Sequence, residues 1–192
     1  MKIGPGLFVP VVGPSGAGKD SVMNYARGAI ATDHQVVFAR RVITRPVSPD
    51  DEDHDTLSED EFFALEDRGA FALSWTSHGL HYGIPNAIND VIRDGGTVIA
   101  NISRGSIDEA TQRYANVVPI LITVPRDILA QRLAARGRES ASQIEARLSR
   151  SANIGAIVPE CRMIENSGTI EQAGEEFVQI IKEAARISRF AL

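Results

Sequence analysis

A single cysteine, Cys161, stands in the 192 residues of this chain. That excludes an internal disulfide and any zinc site built on cysteines, and it fits a reducing compartment; Cys161 itself reads as a small buried apolar residue. No run approaches the roughly 18 uncharged apolar residues of a membrane span. Met1 to Leu7 has neither the charge nor the long apolar core of a signal peptide, so a cytoplasmic protein is expected. Positive charge is also in short supply. The formal net charge is −5, which does not support a general polyanion-binding surface, and neither nucleic acid nor membrane is expected as a partner. Lysine is scarcer still: of the 20 basic residues only Lys2, Lys19 and Lys182 are lysines. The rest are arginines, whose rigid fork suits bidentate grips on phosphate or carboxylate. There is no internal repeat and no low-complexity tract. What is present is a chain of single-domain length whose 43% apolar residues suffice for a substantial core.

The pattern is one of alternation. An apolar run, Leu7 to Val12, breaks into a glycine-rich turn and then a helical stretch from about Lys19 to Ala29. Further strands are expected at Val36 to Thr44, Thr97 to Ile102, Val117 to Val124 and Arg162 to Glu165. Pro10 is awkward inside the first strand, because it removes a ladder hydrogen bond. Ser58 with Glu61, Ser140 with Gln143 and Thr169 with Gln172 each fit the capping box, in which the first and fourth side chains satisfy each other's backbone donors, so three helices are predicted to begin there. The last presents Ile170, Ala173, Phe177, Ile180, Ala184 and Ile187 on one face and should pack on the sheet. Strands alternating with helices predict an α/β fold with a parallel sheet covered on both sides. The segment from about Pro46 to Pro85 breaks the rhythm, beginning acidic and turn-rich. An insertion of that size suits a substrate domain or lid.

Gly13-Pro14-Ser15-Gly16-Ala17-Gly18-Lys19 supplies the core of a Walker A phosphate loop between a strand and a helix start. Its glycines let successive backbone N–H groups turn inward, and the helix adds the positive end of its dipole, so the nest holds a polyphosphate such as that of ATP. Lys19 would bridge the β and γ phosphates, and Ser21 ends the loop. The position after the lysine departs from the pattern, holding Asp20 in place of a hydroxyl. A carboxylate is a hard oxygen ligand suited to Mg2+, and the strand ending Ala100-Asn101-Ile102 has no carboxylate to hold the ion. Asp20 is therefore expected to be the metal contact; the competing account is an early-helix acid beside the positive dipole end.

Downstream, Arg132 and Arg136 lie four residues apart on a helix opened by Pro125, and Gly137-Arg138 follows where that helix should stop. Such a cluster suits a lid that surrounds a transferred phosphoryl group with positive charge, the main catalytic device of that chemistry. Arg147 and Arg150 form a second pair. Ion pairs with Glu139 and Glu145 are the competing explanation for Arg132 and Arg150. On the acceptor side stand Arg40, Arg41 and Arg45, suited to an anionic acceptor. His54, His78 and His81 are candidate bases, although no histidine–carboxylate dyad is visible. If the acceptor is itself a phosphate, its oxygen is already nucleophilic at neutral pH, and clamps matter more than a base.

Gly13–Lys19, Ile43-Thr44-Arg45, Ser58–Phe62, Gly69-Ala70-Phe71, Tyr82-Gly83 and Arg132–Arg138 together resemble the guanylate kinases and their relatives, over nearly the whole chain. The resemblance implies a three-layer P-loop NTPase fold, an acceptor-binding subdomain near residues 40 to 90 and a lid near 130 to 150. It also puts Asn166 where such enzymes contact the nucleotide base. Three positions depart from it: Ser74 stands where a glutamate reads guanine, His54 where a tyrosine is expected, and Ser48 where a second arginine is usual. Residues 13–21, 43–45, 72–75, 79–83 and 136–144, with Asp20 among them, are more similar to the ribose 1,5-bisphosphate phosphokinases of bacterial phosphonate breakdown. That resemblance implies ATP-dependent phosphorylation of a small phosphosugar, with Arg41, Arg45, Tyr82, Asn101, Arg104 and Arg147 as substrate contacts and a homodimer left open. The alternatives are a guanylate kinase acting on GMP, against which Ser74 stands, and a guanylate-kinase-like binding module without catalysis, against which Lys19 and the lid arginines stand.

Overall fold

The computed structural model describes residues 1–45, 54–135, 140–151 and 161–190. Its first strand, β1 (Ile3–Val12), lies at the centre of a sheet in the order β10-β9-β1-β7-β2, with β8 also paired to β1, and every pairing is parallel. The partners are β2 (Val36–Phe38), β7 (Thr97–Asn101), β8 (Tyr114–Val117), β9 (Ile120–Thr123) and β10 (Arg162–Glu165). Alternation along β1 divides the interior in two. Leu7, Val9 and Val11 enter one core with residues of α1 (Lys19–Ala29) and of the C-terminal helix α7 (Ile170–Phe190). Phe8 and Val12 enter the other, with residues of α3 (Ile88–Arg93) and α4 (Ile107–Arg113). Burial on both faces is why β1 reads as a near-continuous apolar run, and the predicted three-layer α/β arrangement is what forms.

A second, four-stranded sheet runs in the order β4-β3-β6-β5. It comprises β3 (Arg41–Ile43), β4 (His54–Thr56), β5 (Phe71–Ser77) and β6 (Leu80–Pro85), with α2 (Glu59–Glu66) beside it. Ala72, Leu73 and Ile84 of this sheet share a core with Phe8 and Val98 of the first. The two sheets are thus joined by packing. Gly83 in β6 is required by a close approach, because a side chain there would meet the Phe71 ring at about 2.5 Å.

Three expectations about elements need correcting. The strand predicted over Val36 to Thr44 is two strands in different sheets: Ala39 N–H still donates to Ile99 O at 2.8 Å, after which β3 takes β4 and β6 as partners. An apolar run does not reveal a change of partner. The strand predicted over Val117 to Val124 is also two, β8 and β9, separated by Val118-Pro119. That break accommodates Pro10. Phe8 O accepts from Val118 N–H, so the even-numbered backbone groups of β1 face this edge; on it the ladder passes from Phe8–Val117 to Val11–Ile120 and skips Pro10. Finally, the predicted face of α7 packs on the sheet through Ile170, Ala173, Phe177, Ile180 and Ala184, joined by Val178 and Ile181, but not through Ile187, which is 65% exposed. The end of that helix is tied by polar contacts instead. Ser188 Oγ donates to Pro5 O at 3.0 Å and accepts from Asn116 Nδ2 at 3.0 Å.

All three predicted capping boxes form. Ser58 Oγ and Glu61 exchange bonds at the start of α2, Ser140 and Gln143 do so ahead of α6 (Ala141–Ser151), and Thr169 and Gln172 ahead of α7; each cap contributes about 1 kcal/mol. Cys161 is half-buried and burial pushes its thiol up, away from thiolate reactivity. Among the described residues no helix is long and apolar enough to cross a membrane.

Candidate active site

β1 ends at Val12 and delivers the chain into the phosphate loop at the C-terminal edge of the sheet. Gly18 is the N-cap of α1, with φ +86°, and no side chain caps the helix there. A residue with a side chain would be strained at that φ and would run into the Asn166 amide. Lys19 Nζ donates to Gly13 O at 3.0 Å and Pro14 O at 3.1 Å, which anchors the ammonium across the loop mouth. Asn166, only 4% exposed, supports the loop from below, with Nδ2 donating to Ala17 O at 2.8 Å. Arg132 on α5 (Arg126–Ala135) donates through Nη2 to Asn166 O at 3.0 Å. The acid expected to compete for a lid arginine, Glu145, pairs instead with Arg126, joining α5 to α6.

The lid has its own small core, in which Leu129 and Leu133 of α5 meet Leu148 of α6. Leu129 and Leu133 also lie over Gly16, leaving no room for a side chain there. Arg136 and Arg138 lie outside the described residues, and so does the side chain of Arg147 on α6.

A cleft of about 410 Å³ opens between the loop and the second sheet. It brings together Gly13, Pro14, Ser15 and Lys19 from the donor side with Arg41, Arg45, Tyr82, Asn101 and Arg104, all expected on the acceptor side. Its charged lining includes Lys19, Arg41, Arg45 and Arg104, and no aspartate or glutamate among the described residues. In a chain of net charge −5 this concentrates positive potential where an anion would dock. Arg40 is placed elsewhere: it pairs with Asp55 at 3.0 Å and donates to His54 O at 3.2 Å, holding β3 to β4.

Asp20 does not itself line the cleft but lies against two residues that do, Asn101 and Arg41. Its Oδ1 accepts from Asn101 Nδ2 at 3.0 Å and lies 3.9 Å from Arg41 Nη2. Asn101 closes β7, which ends without a carboxylate of its own, so the Asp20 carboxylate and that strand end are adjacent. The described residues contain no cluster of three or more metal-ligating acids, histidines or cysteines. One half-exposed carboxylate beside a phosphate loop nevertheless fits Mg2+, which is commonly held by one or two carboxylates plus substrate phosphates and water.

Trp75 and Ser77 of β5, not among the expected site residues, enter the cleft, as does His78 of the following turn, one of the three candidate bases; the Trp75 and Tyr82 rings stack 5.4 Å apart and nearly parallel. His78 (φ +53°) and Gly79 (φ +74°) form the two-residue turn joining β5 to β6. Positive φ at both central residues is what a two-residue hairpin turn of this type requires. Ser74 is not among the lining residues and pairs with Gly83 in the ladder. His54 and His81 hold structure: His54 is 5% exposed in β4, and His81 bonds Thr76 through Nδ1 and packs on Phe62 and Phe63.

Known proteins resemble the chain at two levels. Ribose 1,5-bisphosphate phosphokinase PhnN of Chelativorans is 48% identical over 181 residues, 94% of this chain and 87% of that one. The protein of that name from Brucella melitensis is 43% identical over 180 residues, 94% of each chain, and that from Rhodopseudomonas palustris is 53% identical over 149 residues, 78% of this chain and 76% of its own. No family model matches. Among solved structures, a guanylate kinase from Anaplasma phagocytophilum superposes with a TM-score of 0.68 over 95% of this chain and 87% of that one, at 21% identity. At that identity the likeness establishes the fold, an α/β fold with a parallel central sheet of guanylate-kinase type.

Proposed function

The chain belongs to the ribose 1,5-bisphosphate phosphokinase family, and we propose that it transfers the γ-phosphoryl group of ATP to the 1-phosphate of ribose 1,5-bisphosphate. The products are 5-phospho-α-D-ribose 1-diphosphate and ADP, in cytoplasmic phosphonate catabolism. The observation that carries this is the cleft itself, with four cations from three chain segments, Lys19, Arg41 with Arg45, and Arg104, converging beside the phosphate loop. An acceptor with two phosphates on a small sugar needs that concentration of positive charge.

The chain's contribution is placement and charge. The loop amides and Lys19 hold the β and γ phosphates, and Arg41 and Arg45 fork onto the acceptor's 1-phosphate, fixing one oxygen in line with the γ phosphorus. That oxygen is already anionic, so no base is required and none of the three histidines is asked to serve as one. Arg104 and Arg147 take the second phosphate, and Tyr82 and Asn101 contact the sugar. Asp20 would hold Mg2+, which would supply neutralising charge to the transferring phosphates. Arg132, with Arg136 and Arg138 next after α5 in the sequence, surrounds the three equatorial oxygens as charge spreads over them. Asn166 supports the loop and contacts the base.

The test is a coupled assay that detects the diphosphorylated product, run with ribose 1,5-bisphosphate and with GMP. Turnover with the sugar bisphosphate at least about a hundredfold above that with GMP is expected. Faster turnover of GMP would make the chain a nucleotide kinase, and no acceptor-dependent ADP release with either would leave a binding module.

A further inference from the structure

Asp20 belongs to the donor loop and Arg41 to the acceptor sheet, and the two face each other at 3.9 Å. Arg41 is 11% exposed and Asp20 35%, so their attraction is only partly screened by water. Asn101 donates to the same carboxylate oxygen, Oδ1, at 3.0 Å. A guanidinium drawn toward a carboxylate is less available to grip a phosphate with full bidentate geometry. We propose that this pair is an interlock between the two substrates. Without nucleotide, the Asp20 carboxylate holds the Arg41 guanidinium toward the phosphate loop; with a magnesium nucleotide in place, that carboxylate turns to the cation and Arg41 passes to the acceptor's phosphate. The interlock rests on the kinase function proposed above and adds an order to it: the acceptor binds weakly until the donor is seated. By linkage, the acceptor must tighten nucleotide binding by the same factor.

The experiment reads binding, not turnover. Ribose 1,5-bisphosphate is titrated by phosphorus NMR into the wild-type chain, Asp20→Asn, Arg41→Gln and the double variant, all without nucleotide or magnesium, and into the wild type with magnesium and a non-hydrolysable ATP analogue. The wild type should bind the acceptor about threefold or more tighter with the analogue, as befits a partly exposed pair. Asp20→Asn should gain a similar factor with no nucleotide present, and the gain should vanish in the Arg41→Gln background. Asp20→Ser repeats the measurement should the Asn variant melt early. No change in Asp20→Asn overturns the interlock. So does an equal gain in the Arg41→Gln background, which would reflect nothing more than a lost negative charge. If the wild type binds the analogue but never the acceptor, the assigned acceptor is wrong and the interlock falls with it, an outcome distinct from both.

Discussion

Asn101, the last residue of β7, donates through Nδ2 to Asp20 Oδ1 at 3.0 Å, joining positions 81 residues apart in the chain. A carboxylate held from one side presents its remaining lone pairs in a fixed direction, which is what a magnesium ligand needs. Asp20→Asn should raise the magnesium concentration for half-maximal activity by about tenfold or more, and Asn101→Ala, which leaves the carboxylate but loosens it, should lower activity about tenfold. Magnesium titrations of steady-state turnover check both. Unchanged turnover of Asp20→Asn at limiting magnesium would leave the residue as an early-helix acid only.

Lys19 touches two carbonyls of its own loop, Gly13 O and Pro14 O, so its removal should disturb chemistry far more than folding. Lys19→Met is expected to lower kcat by roughly 10²- to 10³-fold, the scale of losing one well-placed transition-state donor. The melting temperature should stay within a few degrees of wild type. Calorimetric melts and ADP-release kinetics on the same preparation make the comparison.

Asn166 is buried, and both its side chain and its carbonyl are engaged, with Ala17 O and with Arg132. Asn166→Ala should cost about 1–3 kcal/mol of stability, because the Ala17 carbonyl loses its donor, and should weaken nucleotide binding. Titration with ATP and GTP separates its two proposed roles. Equal losses identify a loop support alone, and a changed preference identifies a base contact.

Tyr114 is fully buried and donates to Asn89 Oδ1 at 2.8 Å. Burial, the largest influence, pushes its hydroxyl up to about 12. The unfolded chain therefore releases this proton near the ordinary tyrosine value of 10.0 while the folded chain keeps it. The tyrosine's contribution to stability is complete below that value and is lost as pH rises toward about 12, at up to about 1.4 kcal/mol per pH unit. Urea melts at pH 9 and pH 11 should show a steeper alkaline loss for the wild type than for Tyr114→Phe. The variant should itself be about 1 kcal/mol less stable at neutral pH.

Local chemistry wrote itself into the sequence wherever a short segment is sufficient. The phosphate loop, the three capping boxes and the apolar runs of β1, β7 and β10 depend on residues within a few positions of one another, and each formed where expected. The acceptor side was legible as a set of residues but not as a place. Arg41, Arg45, Tyr82, Asn101 and Arg104 could be named, yet nothing in their spacing showed that Arg40, next in the chain to Arg41, turns away to Asp55.

Composition, the Gly13–Lys19 spacing and the scarcity of lysine and cysteine were enough to determine a phosphate-handling α/β chain. Only the tertiary structure decided that one apolar run serves two sheets, that Pro10 sits opposite a broken strand, that Asn166 supports the loop, and that Asp20 faces both Asn101 and Arg41. The physical reason is range. Turn geometry and capping act over a few residues, whereas sheet partnership and charge pairing are fixed by which distant segments the buried apolar surface draws together.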